Sequence, residues 1–405
     1  MKETMESQSH RRAALIALVA ASALALTACA TETPAASPSS SAPSSAPSDS
    51  STDAGRVALT YDGGIVVLDA ATLEIAADLP IDGFNRLNTA GDGQNIFVTT
   101  TAGFEVLRAT GDAELTGLVF AANTAGHVVR HGDKTILFAD GTGDATIFET
   151  ASLVDATALP EIETVESEAP HHGVAIELED GTFLSTIGTS ESRSGVRALD
   201  ASRTEVDRNE ECPSVHGEGA AMNEIAVFGC SDGVLVYDAG TFTKITAPDT
   251  YGRTGNQYTS DTSAITVGDY NADPDSEGYL LSQLVLTDTA AKTAEVVDLP
   301  EDVEYTWRGV VRGPDDEAYV LGSDGAVYGL DVTTGEFSEL ASVIEPWESP
   351  VEWQDAHPSL SILGETLYVT DPALSSVHAV DLATGETTAS TVLPGAPIEI
   401  AVVTG

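Results

Sequence analysis

The sequence predicts an all-β protein built from repeated units, and three observations support that prediction. Apolar residues alternate with polar ones or form short β-branched blocks interrupted by Gly, Asp and Asn, which is the pattern of strands and turns. One phrase, a Gly or acidic turn followed by an apolar strand and a second turn, occurs eight times. Its copies are roughly 37 to 53 residues apart and begin at Asp62, Gly103, Asp144, Ser194, Asp232, Ser282, Asp324 and Ser376. Repeats of this length with four strands each are typical of a β-propeller.

The two ends of the repeat region predict how a ring of blades closes. The first unit begins at Val57 with only three strands, whereas the chain ends with one surplus strand over 398–403. If the last strand pairs with the first unit, it completes eight four-stranded blades. Seven blades are the alternative, if one copy of the phrase is an insertion. The innermost strands then all run in the same direction, so their first residues gather at one end of a central channel.

The amino-terminal region is predicted to be a targeting segment. A basic start precedes an apolar stretch over 13–28, which is too short to span a membrane comfortably. The stretch ends in LTAC at 26–29, which resembles the bacterial lipoprotein signal, whose cysteine is acylated. We therefore expect residues 1–28 to be a signal peptide and Cys29 to anchor the protein by lipid to the outer face of the cell membrane. An ordinary secretory signal cut nearby is the alternative.

Composition divides the remaining chain into a tether and one domain. Residues 29–55 begin with the cysteine and consist mainly of Ser, Pro, Ala and Thr, which cannot form a core. Residues 56–405 are predicted to form the propeller. The whole sequence has 64 acidic residues against 17 Lys and Arg, for a net charge of −47. A surface this negative repels nucleic acid, which we exclude as a partner.

Cys212 and Cys230 remain as a pair in a protein predicted to be exported. Such a pair is expected to form a disulfide. The intervening sequence predicts a hairpin with strands over 215–220 and 224–229 and a turn at 221–223, which makes the two cysteines cross-strand neighbours. Metal binding by both thiolates is the alternative.

Histidines recur at one place in the repeat. The predicted innermost strands begin near Asn85, His127, His171, His216, Tyr258, Trp307, His357 and Ala396, so four of the eight begin at a histidine. Three of these histidines fall on successive blades, whereas His357 approaches from the far side of the channel. Glu218 could complete the ligands or orient a ring from outside. The candidate metal ligands are therefore His127, His171, His172, His216, His357 and Glu218.

A ring of imidazoles predicts a divalent metal, because neutral imidazole is the most common protein ligand for zinc. The expected disulfide removes the thiolates, and the sequence has only three methionines, which disfavours copper(I). Zn²⁺ is therefore favoured over Ni²⁺ or Co²⁺. The alternative is structural, since a Gly-His pair at the start of a blade is also a packing device in propellers.

The sequence offers little for catalysis. It contains no nucleophile elbow, phosphate loop or HExxH motif. A three-ligand zinc site with an open position could still serve a metal-dependent hydrolase or lactonase, but no residue is indicated as its general base. A propeller that binds no metal and serves adhesion or scaffolding is a further alternative.

Six segments together resemble the exported zinc metallochaperones of the AztD type, over about 57–405. They are GHVVRHGDK at 126–134, PHHGVAIEL at 170–178, CPSVHGEG at 212–219, FGCSDGVLV at 228–236, GRTGNQ at 252–257 and HPSLSILG at 357–364. The resemblance implies a propeller that holds Zn²⁺ outside the membrane, catalyses no reaction, and passes the ion to the solute-binding protein of a zinc ABC importer. The matching histidines are His127, His172 and His216, with His171 and His357 beside them.

One departure from the family pattern concerns the tether. Members of this type often carry a segment rich in His and Asp near the amino end, whereas residues 30–54 here contain no histidine. The resemblance therefore does not extend to a second zinc site in that segment.

Overall fold

The computed structural model describes residues 55–276 and 280–405. These residues form eight four-stranded antiparallel sheets, which confirms the predicted all-β propeller with eight blades and rules out seven. The described helical elements are two 3₁₀ turns, at Thr150–Leu153 and Trp307–Gly309. The predicted signal peptide, Cys29 and nearly all of the tether lie outside the described residues and remain predictions. No helix within the described ranges is long and apolar enough to cross a membrane.

The first four blades follow one another along the chain. Blade 1 contains β1 (Arg56–Tyr61), β2 (Gly64–Asp69) and β3 (Ile75–Pro80) together with the last strand, β32 (Ile400–Val403). Blade 2 contains β4 (Leu87–Thr89), β5 (Asn95–Thr100), β6 (Gly103–Arg108) and β7 (Glu114–Ala121). Blade 3 contains β8 (Ala125–His131), β9 (Lys134–Ala139), β10 (Asp144–Glu149) and β11 (Glu163–Val165). Blade 4 contains β12 (Ala175–Glu177), β13 (Phe183–Gly188), β14 (Arg193–Leu199) and β15 (Glu205–Asn209).

The other four blades complete the circle. Blade 5 contains β16 (His216–Ala221), β17 (Ile225–Cys230), β18 (Gly233–Asp238) and β19 (Thr241–Thr246). Blade 6 contains β20 (Gln257–Tyr258), β21 (Ile265–Tyr270), β22 (Gln283–Asp288) and β23 (Thr293–Asp298). Blade 7 contains β24 (Val310–Arg312), β25 (Ala318–Leu321), β26 (Ala326–Asp331) and β27 (Glu336–Ser342). Blade 8 contains β28 (Leu360–Leu363), β29 (Thr366–Asp371), β30 (Ser376–Asp381) and β31 (Thr387–Val392).

The pairing of the two chain ends closes the ring. β32 runs antiparallel to β1, with Val57 opposite Val402 and Leu59 opposite Ile400, and so becomes the innermost strand of blade 1. Innermost strands contact one another around the circle, including β28 with β32 and β32 with β4. In a closed ring, every blade packs against a neighbouring blade on both of its faces. In a ring of eight, blade 8 lies across the channel from blade 4.

Hydrophobic side chains fill the spaces between adjacent blades. Middle strands are covered on both faces and therefore consist of apolar runs, as in β17, whose six residues are all buried. Outer strands such as β3 are largely exposed. Between blades 2 and 3, Phe97 packs edge-on against Phe104, Phe120 and Phe148. Each such buried ring contributes roughly 1.5–3 kcal/mol of transfer free energy, and this packing fixes how each blade presents its innermost strand to the channel.

The histidines differ in how the innermost strands carry them. His127 lies inside β8 and His216 begins β16, but His171 and His172 precede β12, and His357 precedes β28. Loops before the strands, and not the strand ladders, therefore position these last three side chains.

Candidate metal centre

Three imidazoles from successive blades meet in the channel. His127 comes from β8 of blade 3, His172 from the loop before β12 of blade 4, and His216 from the start of β16 of blade 5. One ring nitrogen of each lies within 4.8 Å of the other two. The ring centroids of the three pairs are 5.0, 5.1 and 5.1 Å apart. Within the described part of the chain, this is the group of His, Cys, Asp and Glu side chains that could hold a metal ion.

Irregular backbone aims two of these side chains into the channel. The ladder of β8 shifts register around His127, and the ladder of β16 shifts around Gly217. Each shift is a β-bulge, which adds a residue to one strand and re-aims a side chain. Gly217 has φ +65°, and a Cβ added there would lie 2.5 Å from the carbonyl oxygen of Gly255. The residue after His216 must therefore be glycine, both for its backbone conformation and for the close approach of the next blade.

Glycines beside the other two histidines permit similarly close packing. A Cβ at Gly126 would lie 2.1 Å from Oδ1 of Asp140, and a Cβ at Gly173 would lie 2.1 Å from Oγ1 of Thr186. Both distances are far inside van der Waals contact. The recurrent pairing of Gly with His in this sequence therefore has a steric origin.

The spacing of the ring nitrogens matches that of zinc ligands. Nε2 of His172 lies 3.4 Å from Nε2 of His127 and 3.1 Å from Nε2 of His216. Two nitrogens bound to one tetrahedral Zn²⁺ at about 2.0–2.1 Å are separated by about 3.3 Å. The side chains therefore already have nearly the separation that a shared zinc ion requires.

Hydrogen bonds on the outer nitrogens fix which nitrogen faces the metal position. Nδ1–H of His172 donates to Oδ2 of Asp140 at 2.6 Å, and Nδ1–H of His216 donates to the carbonyl oxygen of Gly255 at 2.5 Å. Both acceptors lack a proton to give, so the neutral imidazoles must carry their protons on Nδ1. Their Nε2 lone pairs then face each other across 3.1 Å. Such outer partners set the tautomer and raise the basicity of metal-binding histidines.

The carbonyl that orients His216 is itself held in place. The carboxylate of Asp269 accepts hydrogen bonds from the backbone N–H groups of Gly255 and Asn256 and from the side-chain amide of Asn256. Burial raises the pKa of Asp269, while these donors oppose the rise. Asp269 thus supports the candidate metal centre from behind the loop that contacts His216.

Burial and nearby positive charge keep two of the imidazoles neutral, although both remain partly accessible from the channel. Burial lowers the pKa of His127 well below its ordinary value, and repulsion between its protonated form and positive charge on His216 or Arg86 lowers it further. Burial also lowers the pKa of His216 to about 3, against the opposing effect of its bond to Gly255. Neutral imidazole is the form that binds metal, so both rings are competent at and below neutral pH.

The three imidazoles line a cavity of about 710 Å³. The side chain of His172 is 42% exposed there. The wall of the cavity also includes aromatic and basic side chains: Phe84, Trp307, Trp353, Arg86, Arg193 and Arg253. No fourth His, Cys, Asp or Glu of the described ranges joins the group. A metal bound by the three rings would therefore keep a coordination position open to the cavity.

His171 lies apart from this group. Its ring is buried, with Nδ1 hydrogen-bonded to the carbonyl oxygen of Ala169 at 2.9 Å and Nε2 to Oγ1 of Thr186 at 3.0 Å. It also packs edge-on against Phe138. Both nitrogens are engaged within the protein, so His171 serves to hold the loop that presents His172.

His357 and Glu218 also lie outside the group of ligand atoms. His357 belongs to blade 8, across the channel, where burial lowers its pKa to about 4. Its Nδ1 bonds the carbonyl oxygen of Asp355 at 2.8 Å, while its Nε2 has no partner among the described residues. Glu218 follows the bulge of β16, and burial raises its pKa to about 7.

The groups that orient the imidazoles were not among the residues expected from the sequence. Asp140 directly follows β9, which pairs antiparallel with β8 and places Ala139 opposite Ala125. The hairpin therefore brings Asp140 close to the residues that precede His127, and this proximity could have been predicted from the sequence. Gly255 lies in a loop that contacts the preceding blade. No sequence pattern marks that contact.

Cys212 and Cys230 form the predicted disulfide, with their Cα atoms 5.0 Å apart. The thiolates are therefore not available to a metal. The hairpin between them differs from the prediction, because the bulge at Gly217 adds a residue to its first strand and moves the turn to 222–224. A structural disulfide favours an extracytoplasmic location.

Comparison with known proteins gives one consistent picture. No protein-family model matches the chain. The zinc chaperone AztD of Citrobacter koseri is 24% identical over 360 residues, which are 84% of this chain and 83% of the relative. A crystal structure of C. koseri AztD and a structure of its apo form each give a TM-score of 0.73 at 22% identity, and they cover 87% and 86% of this chain and 98% of their own.

A more distant structural neighbour is the dihydro-heme d1 dehydrogenase NirN, with a TM-score of 0.57 at 10% identity over 86% of this chain and 75% of its own. That likeness concerns the fold alone. The chain is similar in sequence to AztD over most of both chains and shares the fold of the AztD structures, which supports the predicted resemblance.

Proposed function

We propose that this protein is an extracytoplasmic zinc chaperone, which holds Zn²⁺ on His127, His172 and His216 and passes it to another protein. The observation that carries the proposal is the pair of Nε2 lone pairs of His172 and His216, which face each other at 3.1 Å. Two such lone pairs repel each other unless a cation lies between them, and zinc is the cation whose geometry they match. The likeness to a relative named as a zinc chaperone supports the same function.

The donor set favours Zn²⁺ over other metals. Three imidazole nitrogens, two of them on rings oriented by Asp140 and Gly255, form a site typical of zinc. Mg²⁺ and Ca²⁺ require oxygen ligands, which this group does not supply. Copper(I) prefers thiolates, and the disulfide has consumed those of Cys212 and Cys230.

The open coordination position suits transfer of the metal. A ligand from an acceptor protein could bind the zinc from the cavity before the imidazoles release it, and His172 is the most accessible of the three. We propose that the acceptor is the solute-binding protein of a zinc ABC importer, as the AztD-type resemblance implies. A lipid on Cys29 would hold the chaperone at the membrane face where such an importer operates.

A zinc hydrolase is the second candidate, because three histidines with an open position also describe catalytic zinc sites. Hydrolysis requires a general base within reach of the zinc-bound water. The carboxylates that line the described cavity wall are Asp140 and Asp269, and they already bind His172 and the backbone of Gly255 and Asn256. A carrier is therefore better supported than an enzyme.

A zinc titration tests the proposal. Protein that begins at residue 30 is stripped of metal and titrated with Zn²⁺ against a chelator of known affinity. We expect one site with an affinity tighter than micromolar, which disappears in a variant carrying His127→Ala, His172→Ala and His216→Ala. His378→Ala, which removes a histidine from a middle strand of blade 8, is the matched control and should bind zinc normally. Weak binding by the wild type, or normal binding by the triple variant, contradicts the proposal.

Two further measurements separate the alternatives. A thousandfold excess of zinc over its dissociation constant should stabilise a carrier by about 4 kcal/mol, whereas an adhesion propeller without a metal site would not respond. Zinc-dependent turnover in a screen of esters and lactones would favour the hydrolase.

A further inference from the structure

The cavity at the metal centre carries positive charge in a protein that is otherwise strongly acidic. The sequence has 64 acidic residues against 17 Lys and Arg, yet Arg86, Arg193 and Arg253 all line this one cavity. They come from separate parts of the ring, just before β4, at the start of β14 and just before β20. The carboxylates of the described cavity wall are those of Asp140 and Asp269.

None of these three guanidinium groups forms an ion pair with a carboxylate that the structure describes. Arg86 lies over the ring of Trp307 at 5.6 Å, and its Nε is buried without a hydrogen-bond partner in the described residues. Nη1 of Arg193 is also buried without such a partner. Nη1 of Arg253 reaches the carbonyl oxygen of Ser214 at 3.5 Å. Buried charged donors without acceptors are costly, so this arrangement favours an acceptor from outside the described chain.

The two carboxylates of the wall are engaged with groups other than the arginines. Oδ2 of Asp140 accepts the Nδ1–H of His172, while its Oδ1 is buried without a hydrogen-bond partner in the described residues, and Asp269 accepts the donors of Gly255 and Asn256. Three guanidinium groups and two carboxylates give the wall a net charge of +1, and a bound Zn²⁺ raises it to +3. A cavity with this charge concentrates anions.

The arginines lie close enough to act on the metal centre. Arg193 and Arg253 line the same cavity wall as the three imidazoles of the candidate metal centre. Burial, followed by the charge of Arg253, lowers the pKa of Arg193 itself. Zinc bound to these imidazoles would be repelled by the same charges, and an anion among them would relieve that repulsion.

We infer that the cavity binds an organic carboxylate as a co-ligand of the zinc. One carboxylate oxygen replaces water at the open coordination position, and the other accepts hydrogen bonds from guanidinium N–H groups, whose fork matches a carboxylate. The aromatic side chains of Phe84, Trp307 and Trp353 form another part of the wall and favour an organic anion over inorganic phosphate. A volume of about 710 Å³ is typical of sites for small organic ligands. This inference rests on the proposed zinc function and adds the chemical class of its fourth ligand.

Cobalt substitution makes the fourth ligand observable, because the visible spectrum of Co²⁺ at a zinc site changes with its coordinating atoms. Protein loaded with Co²⁺ is titrated with acetate, benzoate or inorganic phosphate at an ionic strength held constant with perchlorate. We expect a saturable spectral change with both carboxylates, with benzoate binding more tightly than acetate and phosphate binding most weakly. A spectrum that neither carboxylate changes, or phosphate binding as tight as that of benzoate, overturns the inference.

A paired variant tests the role of the arginines. Arg193→Gln with Arg253→Gln should weaken benzoate binding by at least about tenfold, while Co²⁺ affinity without carboxylate should stay the same or rise because two positive charges near the cation are gone. The control is Arg208→Gln, which removes an arginine of the outer strand β15 that forms ion pairs with glutamates. This change should alter neither affinity. A parallel loss of both affinities in the paired variant would indicate a merely structural role and overturn the inference. If that variant does not fold, the wild-type titration decides.

The cobalt titration distinguishes a failure of metal binding from a failure of carboxylate binding. Failure of the wild type to bind Co²⁺ and Zn²⁺ contradicts the proposed function, whereas metal binding without any response to carboxylates overturns this inference alone.

A blocked Phe-Glu dipeptide tests the source of the carboxylate. Binding tighter than that of benzoate supports an acidic side chain of a protein partner, and weaker binding supports a free small carboxylate.

Discussion

Replacing Asp140 with asparagine should weaken zinc binding by about 10- to 100-fold, the range that outer partners of ligating histidines contribute. The carboxylate accepts the Nδ1–H of His172 at 2.6 Å and so leaves Nε2 free for the metal. Asparagine has the same shape without the charge. Its amide can also donate, which would move the imidazole proton to Nε2 and block the metal.

The structure allows the electrostatic part of this effect to be estimated. Adding the 2.6 Å hydrogen bond, the width of the imidazole and the Zn–N bond places the carboxylate oxygen of Asp140 about 6.5 Å from the zinc. Charges of −1 and +2 at that distance attract by about 1.3 kcal/mol in bulk water and about 5 kcal/mol at an effective dielectric constant of 20. The centre is partly open to the channel, so a loss of about 1.4–2.8 kcal/mol is expected, which is the 10- to 100-fold stated above.

Chelator competition at pH 7 measures this change. The control is Asp133→Asn, which removes an exposed carboxylate from the turn between β8 and β9 and matches the change in net charge. Zinc affinity of the Asp133→Asn protein should equal that of the wild type. If Asp140→Asn and Asp133→Asn bind zinc equally well, Asp140 does not orient a ligand and the reasoning is refuted.

Three further predictions concern stability. The pKa values of His127 and His216 are lowered in the folded state, so the unfolded chain binds more protons than the folded protein below about pH 6.5. The free energy of unfolding of the metal-free protein should therefore contain a contribution that falls as the pH drops from 7 to 5. Denaturant unfolding at both pH values should show a smaller fall for His216→Gln than for the wild type, and an equal pH dependence would contradict this. Cys212→Ser with Cys230→Ser should lower the free energy of unfolding by about 3 kcal/mol, given the sequence separation of 18 residues, and unchanged stability in urea would count against it. Deleting 400–405 removes β32 and leaves blade 1 without its innermost strand, so calorimetry should show loss of the single cooperative transition; a sharp, unshifted transition would argue against closure by this strand.

The fold could be predicted because each repeat carries the signal independently. Turn residues flank an apolar strand in eight copies, and the surplus strand at the end of the chain indicates closure with the first unit. The same phase of the repeat placed His127 and His216 on innermost strands, which the structure shows. Local sequence therefore determines both the blades and which strand of each blade faces the channel.

The details of the site depend on contacts that sequence phase does not reveal. Adjacent residues of an extended segment point to opposite sides, and the phase alone did not separate His171, which is bonded inside blade 4, from His172, which faces the channel. His357 has the right phase but belongs to the blade across an eight-bladed channel. The cluster of arginines arises only when segments from distant parts of the chain converge on the cavity.

Anomalous scattering at the zinc absorption edge, from crystals grown with Zn²⁺, tests the central claim most directly. We predict one strong peak in the channel, about 2.0–2.1 Å from the Nε2 atoms of His127, His172 and His216. A zinc peak at another place in the ring, or a channel in which these three nitrogens surround no zinc, would contradict the account.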